Sequence, residues 1–191
     1  MKPSRRISRS RISPSWLFVL PAFLLGVAME RGSSTAQPPG PVGAPAEVHY
    51  SPGEDLESID VALIGKATKQ VDMAAYVLTD NAVIEALRKA TERGVKVRIW
   101  RDANMAQKVG DFDVEAQLGA RPQGIELRSN SPGGELMHLK GYCVDHRLLR
   151  TGSANFSRSG ETRQDNDLVA LRGALVCAGF DAKFDRAWGK G

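Results

Sequence analysis

Residues 71–100 read VDMAAYVLTDNAVIEALRKATERGVKVRIW, and their two periodicities set the class of fold. Val71 to Leu78 is a short, almost wholly apolar run, which predicts a buried strand. Thr79 or Asp80 then offers a side-chain cap for a helix on which Val83, Leu87 and Ala90 share one face, and Gly94 supplies a stop. Beyond it Val95, Val97 and Ile99 alternate with Lys96, Arg98 and Trp100, the pattern of a half-buried strand.

The same alternation of strands and helices continues outward. Toward the N-terminus, Val48 to Tyr50 predicts a strand ended by Ser51-Pro52-Gly53. Leu56, Ile59, Leu63 and Ala67 then fall at three- and four-residue steps on one helical face. Toward the C-terminus, Asn104 to Leu118 reads as helix or partly ordered loop and Ile125 to Arg128 as a strand. Ser131 to Gly134 is a flexible turn, with Gly133 and Gly134 placed to move or simply to bend the chain. Strands are expected at Leu136 to Val144, Leu148 to Ser153 and Asp167 to Leu171, with an irregular segment from Asn155 to Asn166. In the last helix Val176, Phe180, Phe184 and Trp188 recur every four residues, a stripe explained by packing on a sheet. Helices interspersed with strands predict an α/β domain with a central mixed β-sheet flanked by helices.

The 191 residues are 42% hydrophobic, 25% charged and 6% aromatic, which suits one globular core and excludes disordered and collagen-like chains. The formal charge of +4 is concentrated at the N-terminus, since residues 37–191 carry 20 basic and 21 acidic side chains. Binding to a polyanion must therefore come from a local cluster and not from a basic domain. Residues 1–36 place Lys2 to Arg11 before an apolar run, Trp16 to Met29, and small residues follow at Ser34-Thr35-Ala36. That order predicts a cleaved signal peptide, and the 14-residue run is short for a membrane span. Residues 37–46, rich in Pro, Gly and Ala, read as a linker to a domain over 47–191. The expected location is exported, in the periplasm or secreted. Cys143 and Cys177 then lie where a disulfide can persist, and either a bridge or two buried thiols fits the sequence.

Chemistry concentrates in Met137-His138-Leu139-Lys140-Gly141-Tyr142-Cys143-Val144-Asp145 and Gly152-Ser153-Ala154-Asn155. Residues two apart on a strand share a face, so His138 and Lys140 stand side by side, as do Ser153 and Asn155. Asp145-His146-Arg147 between them reads as a hairpin turn. An imidazole, an ammonium and two neutral hydrogen-bonding groups converging on one spot suit a tetrahedral oxyanion such as a phosphodiester. No cysteine or histidine spacing indicates a metal site, and Asp111 and Asp113 read as surface acids. Arg128, Arg147, Arg150, Arg158 and Arg163 flank the motif and are candidates for tracking phosphates, Arg158 foremost.

These residues resemble the signature of the phospholipase D superfamily: His138, Lys140, Asp145, Gly152 and Ser153 occupy its His-x-Lys, Asp and Gly-Ser positions, with Asn155 at the downstream asparagine. The chain is similar to small exported bacterial endonucleases of that superfamily. The resemblance implies an α-β-α sandwich and a metal-independent, cofactor-free phosphodiesterase. In such a site one His attacks phosphorus, a second protonates the leaving oxygen, and Lys and Asn hold the phosphate oxygens. Lys140, Ser153 and Asn155 become substrate-binding residues, and Asp145 a supporting one. Family members also carry an acid that orients the catalytic His. The matching stretch here, Arg163 to Asp167, offers Asp165 as first choice, with Asn166 and Asp167 as alternatives. Because the chain holds one copy of the motif, the resemblance implies a homodimer that brings two His138 side chains to one phosphate. The expected substrate is nucleic acid, DNA or RNA, with phospholipid as the alternative.

Overall fold

The computed structural model describes residues 45–118 and 124–190. The expected signal peptide and residues 37–44 of the linker lie outside them, and β1 already begins at Ala46. Seven strands form one mixed sheet in the order β1-β7-β6-β5-β2-β3-β4, with β1 Ala46–Ser51, β2 Gln70–Ala75, β3 Lys96–Arg101, β4 Ile125–Ser129, β5 Lys140–Val144, β6 Leu148–Gly152 and β7 Asn166–Arg172. Strands β2, β3 and β4 run parallel, whereas β5, β6, β7 and β1 add on in antiparallel fashion. The expected α/β class, with a mixed sheet between helices, is the observed one.

Helices α1 (Leu56–Gly65) and α2 (Asn81–Glu92) cover one face. Asp80, not Thr79, caps α2 by accepting from Ala82 N and Val83 N at 2.9 and 3.1 Å. Their apolar faces bury Leu56, Leu63, Ile64, Val83 and Leu87 against Val71, Met73, Val97 and Ile99 of the sheet. The opposite face receives α6 (Ala178–Trp188), whose Phe184 and Trp188 pack on Ala74 and Trp100. The segment of uncertain form folds as α3 (Ala103–Val109), a 3-10 turn and α4 (Val114–Leu118). A fifth helix, α5 (Arg158–Thr162), lies inside the segment expected to be irregular, started by Ser157, whose hydroxyl accepts from Gly160 N. Asp113, read as a surface acid, is instead buried and paired with Arg101.

Two strand boundaries differ from the sequence reading, and both matter to the site. Strand β2 ends at Ala75, and β5 begins only at Lys140, so His138 stands two residues before the strand and not within it. A bond from Tyr76 N to Leu139 O, 2.9 Å, still ties the two segments just beyond the ladder.

Candidate active site

The start of β5, the end of β6 and the end of β2 meet at one end of the three central strands. Lys140 is 8% exposed there, its Nζ donating to His138 O at 2.8 Å and lying 4.6 Å from the centre of the Tyr76 ring. It has no carboxylate partner among the described residues. Burial holds the ammonium below its usual lysine range, because desolvation disfavours charge that no anion offsets. His138 is exposed and packs against the same Tyr76 ring, with centroids 4.6 Å apart. Tyr76 thus orders both motif side chains. In the sequence Tyr76 is one more residue of an apolar run, with no local pattern to single it out.

The second half of the motif is held by a buried ion pair. Arg150 and Asp60 are both inaccessible to solvent and meet through two bonds, Nε to Oδ1 at 3.0 Å and Nη2 to Oδ2 at 2.7 Å. The third guanidinium nitrogen donates to the carbonyls of Lys140 and Ala154, at 3.2 and 3.3 Å. One side chain therefore fixes the backbone of both halves of the motif. Past β6 the chain docks on the β2–α2 corner, where Phe156 O accepts from Thr79 N and Asp80 N. Gly152 permits the turn: a Cβ there would stand 2.3 Å from Asp167 O. Asn155 makes no side-chain hydrogen bond among the described residues, and its side-chain oxygen is buried without a partner. A buried cation, an unengaged amide and an exposed imidazole, on segments tied together through Arg150, are groups of the kind that bind a phosphate.

The remaining sequence candidates separate. Ser153 is exposed, and its hydroxyl accepts from Asp167 N at 2.9 Å while its own N–H donates to Asp167 Oδ1 at 3.2 Å. Of the three residues considered for orienting His138, Asp165 is exposed and makes no hydrogen bond to it, and Asn166 donates to Gly160 O. Asp167 joins the motif, but through Ser153. Among the described residues nothing hydrogen-bonds the His138 ring. Asp145 lies at the far end of the β5–β6 hairpin. There it and His146 have φ of 52° and 57°, as a type I′ turn requires. Its carboxylate accepts from Thr68 N, Thr68 Oγ1, Lys69 N and Gln70 N. Burial works against these bonds, yet they hold the group below its ordinary range. Its work is to brace the hairpin.

The five flanking arginines do not form one cluster. Arg150 is the buried clamp, Arg147 sits at the hairpin tip, and Arg128 donates to Trp188 O and stacks on its ring. Arg163 is exposed, while Arg158, with its side chain 75% exposed, reaches Glu57 at 3.5 Å. Cys143 and Cys177 are bonded to each other and close a 34-residue separation between β5 and α6. Asp181 lies beside them, but joined sulfurs offer no thiolate to a metal.

The family model described as "Cardiolipin synthase, PLD-like domain" matches residues 61–188, which include every motif position. The chain belongs to the phospholipase D-like family. Its fold is shared by the crystal structure of the phospholipase D family member Nuc from Salmonella typhimurium, at 27% identity and a TM-score of 0.71, over 78% of this chain and 97% of that one. NucT from Helicobacter pylori has the same fold, with a TM-score of 0.69 at 18% identity, over 77% and 97% of the two chains. Among curated relatives, a mitochondrial cardiolipin hydrolase from Chlamydomonas reinhardtii is 29% identical over 65% of this chain and 54% of its own length. A phospholipase D from Rickettsia prowazekii is 32% identical over 64% and 57%. This phospholipase D-like chain thus spans little more than half the length of those curated relatives.

Proposed function

We propose that the protein is an exported phosphodiesterase that cleaves nucleic acid internally, through a phosphohistidine on His138, as a homodimer with one shared site. The observation that carries the reading is the buried Lys140 ammonium, which has no carboxylate partner among the described residues and lies against the ring that also holds His138. A phosphodiester supplies that anion. His138 is exposed at the end of the central strands, which lets a long polymer reach it without threading an end.

The steps balance with two imidazoles. A nitrogen of His138 attacks phosphorus while Lys140 and Asn155 hold the non-bridging oxygens, and the bond to the leaving oxygen breaks. That oxygen takes a proton from the partner's His138 acting as general acid. The same imidazole then removes a proton from water, whose oxygen attacks phosphorus and releases His138. One chain contains a single such motif histidine, and a twofold axis through the site supplies the second. Sedimentation should show a dimer, and an active monomer would overturn the shared site.

A second reading has its own support. Leu136 and Leu139, on either side of His138, are 55% and 43% exposed, a placement that would suit a lipid surface, and relatives carry the names phospholipase D and cardiolipin hydrolase. Supercoiled plasmid and cardiolipin vesicles, each in excess EDTA, separate the two. Nicking without vesicle hydrolysis supports the nuclease reading; hydrolysis of vesicles alone replaces it with the lipid one.

A further inference from the structure

A groove of about 840 Å³ runs from His138 along α6, within the range of ligand-sized sites. Trp100 and Phe184 form its floor, Met137 and Leu136 one wall, and Phe180 stands half-buried against Phe184, ring centroids 5.9 Å apart. The α6 lip carries Lys183, Arg186 and Lys190. Lys183 and Arg186, three residues apart, share one side of the helix, and Lys190 follows in the turn just past its end. All three are exposed, and none has a carboxylate partner among the described residues. The acids of the same helix are otherwise engaged, Asp181 with His146 and Asp185 with Arg98. Glu135 is the one acidic residue lining the groove.

Resting on the nuclease reading above, we propose that this groove is a binding site for single-stranded nucleic acid. The strand's phosphates follow Lys183, Arg186 and Lys190, and an unpaired base enters the groove against Phe180, next to the phosphate held at His138. Unpaired cations in a row fit a line of phosphates, and an aromatic floor fits the face of any base. A duplex keeps its bases stacked and paired inside, so it can use the cationic row but not the groove. A membrane surface fits less well. The other exposed large apolar side chains, Val48, Tyr50, Phe112 and Leu175, do not line the groove, and only Leu136 and Leu139 stand at its mouth.

The test uses the intact protein with two variants outside the catalytic residues. Lys183→Ala/Arg186→Ala/Lys190→Ala removes the row, and Phe180→Leu keeps apolar bulk while removing the ring. Each is assayed on a labelled single-stranded oligonucleotide, the same sequence as duplex, cardiolipin vesicles and bis(p-nitrophenyl) phosphate, which reports on the catalytic centre alone. Both variants should hydrolyse the small diester as the unmodified protein does. The triple variant should lose roughly tenfold or more in kcat/KM on the single strand, with the salt dependence of log K shallower by about 2. Phe180→Leu should lower the single-strand to duplex ratio by about fivefold or more.

Unchanged single-strand cleavage in both variants, or equal losses by Phe180→Leu on single strand and duplex, would overturn the groove while leaving the nuclease reading intact. Loss of vesicle hydrolysis with unchanged oligonucleotide cleavage would assign the groove to lipid. Unmodified protein that hydrolyses the small diester but neither oligonucleotide would overturn the nuclease reading itself, and the groove with it.

Discussion

Replacing Arg150 by methionine tests the internal frame of the site. The substitution removes two bonds to Asp60 and two to the carbonyls of Lys140 and Ala154. The larger consequence is what remains. Asp60, with no solvent access, keeps the Tyr142 hydroxyl, 2.8 Å away, but no cation among the described residues to offset its charge. Breaking a buried pair on one side costs about 3–5 kcal/mol, a large share of the ~5–15 kcal/mol that holds a domain together. The double variant Asp60→Leu/Arg150→Met removes both charges, a change that is often close to neutral. It leaves the Tyr142 hydroxyl only the 3.5 Å contact with the residue 60 carbonyl, a loss of at most about 1–3 kcal/mol, so it should be more stable than Arg150→Met alone. Urea unfolding measures both stabilities, and turnover of bis(p-nitrophenyl) phosphate reads the site. Because both variants lose the bonds to Lys140 O and Ala154 O, kcat should fall in each, even where the double variant is well folded. A loss below about 1 kcal/mol for Arg150→Met, or full activity in a stable double variant, would refute the reasoning.

Three further outcomes follow from single features. Glu161 is fully buried with neither carboxylate oxygen hydrogen-bonded, and burial, then the charge of Asp60, pushes it up to about 10 from 4.5. Both states are protonated below about pH 4.5, and the folded protein loses stability above it because only the unfolded chain ionises. Glu161→Gln should therefore gain on the unmodified protein as pH rises from 5 toward 9, by at most about 1.4 kcal/mol per unit; parallel stability curves would contradict this. Gly152→Ala drives a Cβ to 2.3 Å from Asp167 O and should cost about 2–4 kcal/mol by thermal unfolding, with activity lost through displaced Ser153. Cys143→Ser/Cys177→Ser opens the bridge across 34 residues and should cost about 3–4 kcal/mol by denaturant unfolding. No loss would show that the sulfurs are not joined in solution.

The parts legible in the sequence are those in which neighbours in the chain are also neighbours in space. The β5–β6 hairpin is contiguous, so the spacing of His138, Lys140, Gly152, Ser153 and Asn155 already implied one site. What was missed depends on contacts between distant segments. Tyr76 reaches His138 only because β2 pairs with β5 across some seventy residues, and no local periodicity reports that pairing. Asp60 interrupts the apolar face of α1, where an acid ordinarily marks the solvent side, and only the fold brings Arg150 against it. Arg150 itself was read with the exposed arginines because charge in a sequence says nothing of burial. Of the stripe expected to pack on the sheet, Phe184 and Trp188 are buried, whereas Val176 precedes α6 and Phe180 is half-buried at the groove; Lys183, Arg186 and Lys190 gain meaning only from the groove beside them.

The central claim is that His138 forms a bond to phosphorus during hydrolysis. Protein mixed with excess oligonucleotide in EDTA, quenched in alkali during turnover and mapped by mass spectrometry, tests it directly. The account predicts a phosphoryl-nucleotide adduct on the peptide containing His138, absent from His138→Asn. Cleavage at full rate by His138→Asn, or an adduct on any other residue, would contradict it.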